Sequence, residues 1–285
     1  MAATDKAPAG IVTHLSLSPR VLLQAYRAYF RKTFAVQLQY RASLLIWLIG
    51  SILEPVIYLV VWTTVAEASG GSVGGYSAGD FAAYYIVLMV VDHLTFTWVM
   101  WEYDYRIRLG QMSAMLLRPI HPVHEDIADN ITYKVLTLFV MIPVVLLLIW
   151  LFNPVFNTTL WAVAAFIPAL ALSFFVRFML GWSLAMTAFW TTRINALNNS
   201  FFVISLFFSG RIAPLDVLPE GLQTVANLFP FRWTLAFPVE LFLGRLTPQE
   251  ALVGLGMQVL WLVICLVGMQ LIWRAGIRKY AAFGG

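Results

Sequence analysis

The chain has a single cysteine, Cys265, set in an apolar run, so it carries neither a disulfide framework nor a paired-thiolate metal site and gives no clue to redox compartment. Charge is also scarce, with 11% of residues Asp, Glu, Lys or Arg. The formal net charge of +4 has no solvated basic domain to carry it; the basic residues flank apolar segments instead, which argues against a nucleic-acid partner. No GxxxxGK[ST] phosphate loop occurs. The scattered His, Asp and Glu residues show no nucleophile with a positioned base, so a membrane-embedded enzyme ranks third among the function classes.

What the chain has in excess is apolar surface. At 61% apolar it reads as an all-α, polytopic membrane protein whose main solvent is lipid. Residues 1–20, rich in Ala, Ser and Pro, lack the apolar core of a signal peptide and are expected to form a cytoplasmic tail. Over residues 20–41, Leu22, Tyr26, Phe30, Phe34 and Leu38 recur every fourth position, with Arg27, Arg31 and Lys32 on another face. That pattern predicts a basic amphipathic helix lying on the membrane and touching its anionic lipids. Residues 1–41 are therefore set apart from a transmembrane domain over 42–285.

Apolar runs at 43–66, 81–103, 131–152, 160–190, 194–208 and 250–273 predict about six spans. The Gly-rich loop 69–80 and the turn after 152 carry no lysine or arginine, whereas loop 103–130 holds Arg106, Arg108 and Arg118, with Lys134 at the foot of the next span. By the positive-inside rule this loop, the turn Thr191-Thr192-Arg193 and both termini lie in the cytoplasm, the C-terminus held there by Arg274, Arg278 and Lys279. Within the loop, Ile107, Leu109, Met112, Met115 and Leu116 line one side of a short helix that breaks at Arg118-Pro119. Such a half-apolar, half-basic helix suits docking of a partner. His121, His124, Glu125 and Asp126 contain two ligand types, but HxxHE is not the HExxH of a zinc helix; the run reads as a helix start, with no metal site.

Polar groups inside the spans are few and each has two readings. Glu54, beside Pro55, could contact a cationic substrate or satisfy backbone groups loosened by the proline. Asp92 and His93 suit interhelical hydrogen bonding first, then substrate contact, then proton coupling, although neighbours on a helix point to different faces. Arg177 is expected to snorkel to cytoplasmic phosphates, with pairing to a carboxylate such as Glu54 as the alternative. Asn195, Asn198 and Asn199 could line a cavity mouth or bond neighbouring helices. Phe96, Trp98, Met186, Phe201 and Phe202 would suit a lipophilic or cationic compound, or simply pack helices.

Residues 207–238 interrupt this order. Pro214, Pro219, Pro230 and Pro238 forbid a straight span, yet Leu215, Leu218, Leu222, Val225 and Leu228 are too apolar for a solvated linker, so the broken backbone needs protein around it. Arg211, Arg232 and Arg245 lie on this outer side, where Asp216, Glu220, Glu240 and Glu250 are available as partners.

Ser209-Gly210, Pro214-Leu215, Leu218-Pro219 and Phe229-Pro230-Phe231 form a pattern that resembles the region before the last helix of ABC-2 type transporter permeases. The order of elements along nearly the whole chain is similar to that family, closest to its viologen-exporter-like branch. The resemblance implies a permease subunit of an ATP-binding cassette exporter in the cell (inner) membrane. Its coupling helix would be Arg106-Ile107-Arg108-Leu109-Gly110-Gln111 through Leu117-Arg118-Pro119-Ile120, fitting a groove on an ATPase. The outer gate would include Ser209, Gly210, Pro214, Leu218, Pro219 and Pro230. A substrate pathway would draw on Glu54, Asp92, His93, Phe96, Trp98, Asn198, Asn199 and Phe202. Because the chain has no phosphate loop, ATP and magnesium would be bound by two separate ATPase subunits, and a second copy or a related permease would complete the path. The rival reading is a proton-coupled secondary carrier using Glu54, Asp92 and His93; the inverted repeats many such carriers show are not seen.

Overall fold

The computed structural model describes residues 18–191 and 194–280. The expected N-terminal tail falls almost wholly outside these residues, as do Thr192 and Arg193 of the turn. The described residues form an all-α protein. Five helical stretches are long and apolar enough to cross a bilayer: Arg41–Ala68, Ala78–Arg108, Val123–Phe152, Leu160–Phe189 and Pro248–Lys279. The sixth expected span is a shorter apolar helix, Ile194–Phe208, of 15 residues.

We label the helices α1 (Pro19–Gln39), α2 (Arg41–Ala68), α3 (Ala78–Thr95), α4 (Val99–Arg108), α5 (Gln111–Leu116), α6 (Val123–Phe152), α7 (Leu160–Met186), α8 (Ile194–Phe208), α9 (Glu220–Leu228), α10 (Pro230–Thr234), α11 (Ala236–Phe242) and α12 (Pro248–Lys279). Strands β1 (Ser72–Val73) and β2 (Tyr76–Ser77) pair antiparallel between α2 and α3. The Gly-rich loop is thus a hairpin. Gly74 and Gly75, both at positive φ, supply the two-residue turn whose twist matches the flanking strands. Immediately after it, Ser77 caps α3 in a reciprocal box with Asp80, and Thr247 does the same for α12 with Glu250, so both helices start where local chemistry tells them to.

α3 is the central post. Its residues 81–89 are buried on every face, against α2, α6, α7 and α11. In lipid such burial is not driven by water exclusion; close packing drives it, and Ala82 and Ala83 let neighbouring backbones approach. The second span was expected to run unbroken to 103. It stops instead at Thr95, crosses Phe96–Trp98 without helical geometry, and resumes as α4. α6 begins at Val123 rather than 131, and Pro55, Pro143 and Pro168 sit inside α2, α6 and α7 without ending them.

α1 packs on α6 through Tyr26 and Thr33, while Phe34 and Leu38 are exposed.

Candidate functional site

Three groups of residues stand out, one at each end of the bundle and one inside it. At the end carrying α4 and α5, Asp126 on α6 is 1% exposed and collects three donors. Tyr103 Oη donates at 2.7 Å, Arg106 at 2.5 Å and Trp182 Nε1 at 3.0 Å, tying α4, α6 and α7 at one carboxylate. Arg106 also pairs with Glu102 at 2.6 Å. Beside this hub, Glu125 receives Arg118 at 2.6 Å and Lys32 of α1. Gly110, at φ 70°, turns the chain from α4 into α5, a conformation that disfavours any other residue. Ser113 of α5 is 2.8 Å from the Tyr280 hydroxyl at the end of α12.

The tip so braced presents its other side outward. Leu117 is 87% exposed, Leu109 is exposed beside it, and Arg108 projects while held to Asp104 at 2.7 Å. Among the sequence-chosen coupling residues, Arg106 and Ile107 face inward, whereas Arg108, Leu109, Leu117, Arg118 and Pro119 form the outer surface with Gln111. The short helix ends at Leu116, and Leu117 to Ile120 form a turn that leads into α6. His121 packs its ring against Trp182 and Trp273, and His124 bonds Tyr26 at 3.1 Å, so both histidines are structural parts of this end. Among the described residues no cluster could hold a metal ion.

Inside the bundle, Asp92 of α3 receives Arg177 of α7 at 2.8 Å and Arg211 at 2.5 Å, and Arg211 reaches Glu54 of α2 at 3.0 Å. Arg177 also donates to Thr95 Oγ1 at 2.7 Å. The snorkelling expected of Arg177 is therefore wrong: pairing with an interior carboxylate satisfies it locally, and the carboxylate is Asp92 rather than Glu54. Arg211 turns inward as well, away from Asp216, Glu220, Glu240 and Glu250. His93 bonds Thr137 at 2.9 Å, and Lys134 Nζ donates to the Phe96 carbonyl at 2.7 Å in the break between α3 and α4.

A small cavity adjoins this cluster, lined by Phe96, Thr97, Met100, Arg177, Leu180, Gly181, Phe201, Phe202, Ser205, Arg211, Phe231 and Thr234. Of the residues proposed for a pathway, Phe96 and Phe202 line it, and Glu54 and Asp92 stand behind its arginines. Trp98 points elsewhere, donating to Glu102 at 2.7 Å and meeting Tyr133 edge to face. Asn198 is buried and donates to the Met100 carbonyl at 3.0 Å, a helix-bonding role, while Asn199 is exposed. Sequence reasoning missed Arg211 and Lys134 as interior groups; the signal available was that each cation adjoins an apolar run.

At the opposite end, the segment between α8 and α12 is tied down by its own backbone. The Gly210 carbonyl accepts Tyr84 Oη at 2.8 Å, and the Ile212 carbonyl accepts Trp62 Nε1 and Tyr85 Oη, each at 2.7 Å. Pro214 and Pro230 are buried, Pro219 caps α9, Leu218 is half-buried, and Ser209 is buried with no partner for its hydroxyl. Arg232 reaches Glu240 at 3.4 Å and Arg245 reaches Asp80 at 3.2 Å over the face of Tyr76. Burial pushes the Glu240 carboxyl up to about 7, with Arg232 only partly opposing.

Residues 52–284 match the family model described as ABC-2 family transporter protein, a match that begins within α2 and takes in all three groups except Tyr26 and Lys32 of α1. A search of curated proteins returned no match.

Proposed function

From the premise that the chain belongs to the ABC-2 family of transporter proteins, we propose that it is the membrane half of an ATP-driven exporter whose ATPase is a separate polypeptide. Two ATPase subunits and a second permease, identical or related, would complete the machine. The observation that carries this reading is the α4–α5 tip. A lever must transmit displacement without absorbing it, and this tip is fixed to α6 and α7 through Asp126, to α1 through Glu125, and to the end of α12 through Ser113 and Tyr280. Its free side offers Leu109 and Leu117 between arginines, the composition of a docking surface.

On this reading the tip, the end of α12 and the start of α1 face the cytoplasm of a cell with the chain in its inner membrane, and ATP closure of the ATPases rocks the two permeases. Substrate then leaves past the segment around Pro214 to Pro230. A proton-coupled carrier needs a carboxylate free to take up and release a proton. Asp92 and Glu54 are instead held by two arginines, which does not favour that alternative.

The test is co-purification of an ATP-binding cassette ATPase with this chain from its native membrane, with vanadate-sensitive hydrolysis as a second readout. Leu117→Asp should insert and fold normally but lose most of the ATPase. Full capture by that variant, or labelling of a cysteine at Leu117 from outside intact cells, would overturn the proposal.

A further inference from the structure

The interior cavity is walled by charge of one sign. Its charged lining residues are Arg177 and Arg211, and the carboxylates that pair with them do not line it. Arg177 and Arg211 face two carboxylates, Asp92 and Glu54, of which Asp92 alone is buried, while Glu54 has 36% of its side chain exposed. The positive charge is therefore matched from behind the wall and not from within the space, where an acidic group would meet both guanidinium groups. Four aromatic rings share the wall: Phe96, with Arg177 5.6 Å from its centre, Phe202, with Arg211 5.8 Å from its centre, and Phe201 and Phe231 in edge contact.

We propose that this cavity takes an amphiphile bearing a single acidic group, the acid on Arg177 and Arg211 and the apolar body among Phe96, Phe201, Phe202 and Phe231. The proposal deepens the permease reading and rests on it for the meaning of the site as a transport site. It replaces the cationic compound suggested by the carboxylates alone, because both carboxylates are already neutralised and two guanidinium groups would repel a cation. The cavity of about 30 Å³ has room for roughly one water, so a substrate requires a wall to move. α8 is that wall: it contributes Phe201, Phe202 and Ser205, and of its residues Ile194 and Asn198 alone are fully buried.

The test uses the full chain in nanodiscs of neutral phosphatidylcholine, with 1-pyrenebutyrate and 1-pyrenebutyltrimethylammonium as matched probes and fluorescence anisotropy as readout. The acid should bind at least about tenfold tighter than the ammonium, a factor that Arg177→Gln should largely remove. Ser205→Phe, which fills the cavity without touching a charge, should abolish saturable binding of both and guards against misfolding of the arginine variant. Pyrene-labelled phosphatidylglycerol as a third probe separates a lipid headgroup from a free acid; saturable binding of either anion supports the site and identifies its source. Equal affinity for acid and ammonium, a preference for the ammonium, or acid binding that survives Ser205→Phe would overturn the proposal. The assay needs neither ATPase nor ATP, so its failure leaves the permease reading standing, and failure of ATPase capture leaves the anion site standing.

Discussion

Asp126 is the residue whose loss should be felt furthest from itself. Replacing it with asparagine keeps the volume but removes the charge that Arg106 faces and puts an NH2 group where at least one of three donors now points. Arg106 retains Glu102, a partner that is partly exposed. Breaking a buried pair from one side costs about 3–5 kcal/mol, and each orphaned donor, here Tyr103 or Trp182, costs about 1–3 kcal/mol, contributions that overlap rather than add. We expect Asp126→Asn to lower stability by about 3–5 kcal/mol, read as an earlier midpoint in a thermal melt of the purified protein. If enough protein folds, ATP hydrolysis by the assembled complex should persist while transport falls. The double variant Asp126→Leu with Arg106→Met should recover much of the stability, since neither charge is then stranded, but not the coupling. An Asp126→Asn protein with unchanged melting and unchanged transport per ATP would refute the claim that this carboxylate braces the lever.

Glu240 should make stability depend on pH. Its folded value of about 7 lies above the ordinary 4.5, so between those values the folded state holds more protons than the unfolded one. Stability is then greatest below about 4.5 and falls by up to about 3 kcal/mol as pH rises to 7, a slope that Glu240→Gln should flatten in melts across this range. Gln258, buried with its amide directed at the carbonyls of Ala169 and Trp233 and the hydroxyl of Ser173, joins α12 to α7 and to the end of α10. Gln258→Leu should cost about 1–3 kcal/mol in the same assay, and a neutral result would show those contacts to be dispensable. Gly110→Val meets open space but is strained at a positive φ, so stability in the melt should fall by about 1–2 kcal/mol; the turn re-angles to relieve that strain, and transport per ATP should drop.

Most of the fold follows from residues that act locally or repetitively. Five of the apolar runs became long helices because nothing in them outweighs about twenty residues of hydrocarbon preference, and prolines 55, 143 and 168 were absorbed within them. The prolines of the outer segment divided it into short helices because they come close together, at the N-cap of α9 and the first position of α10. The break at Phe96–Trp98 was illegible: it contains no proline or glycine, and it is held by a lysine from α6 donating to a carbonyl freed there. The charge partners were illegible for the same reason. Arg211 lies 157 residues from Glu54 along the chain, and no periodicity carries that information.

The long-range pairs also decide how the two ends of the molecule can communicate. α7 contributes Ala169 and Ser173 to Gln258 of α12, Arg177 to Asp92 of α3, and Trp182 to Asp126 of α6, so one helix carries contacts from the opposite end of the bundle to the α4–α5 tip. Asp92 in turn holds Arg211, whose neighbours Gly210 and Ile212 are fastened by Tyr84, Tyr85 and Trp62. On the proposed reading, a push at Leu117 cannot be taken up by bending α7 alone, because its polar contacts must break or move together. The weakly packed element is α8, which lies between the arginine-lined cavity and the lipid-facing side. On the same proposal, rigid α3 and α7 with a yielding α8 would let motion at the tip open the cavity rather than dissipate along the helices.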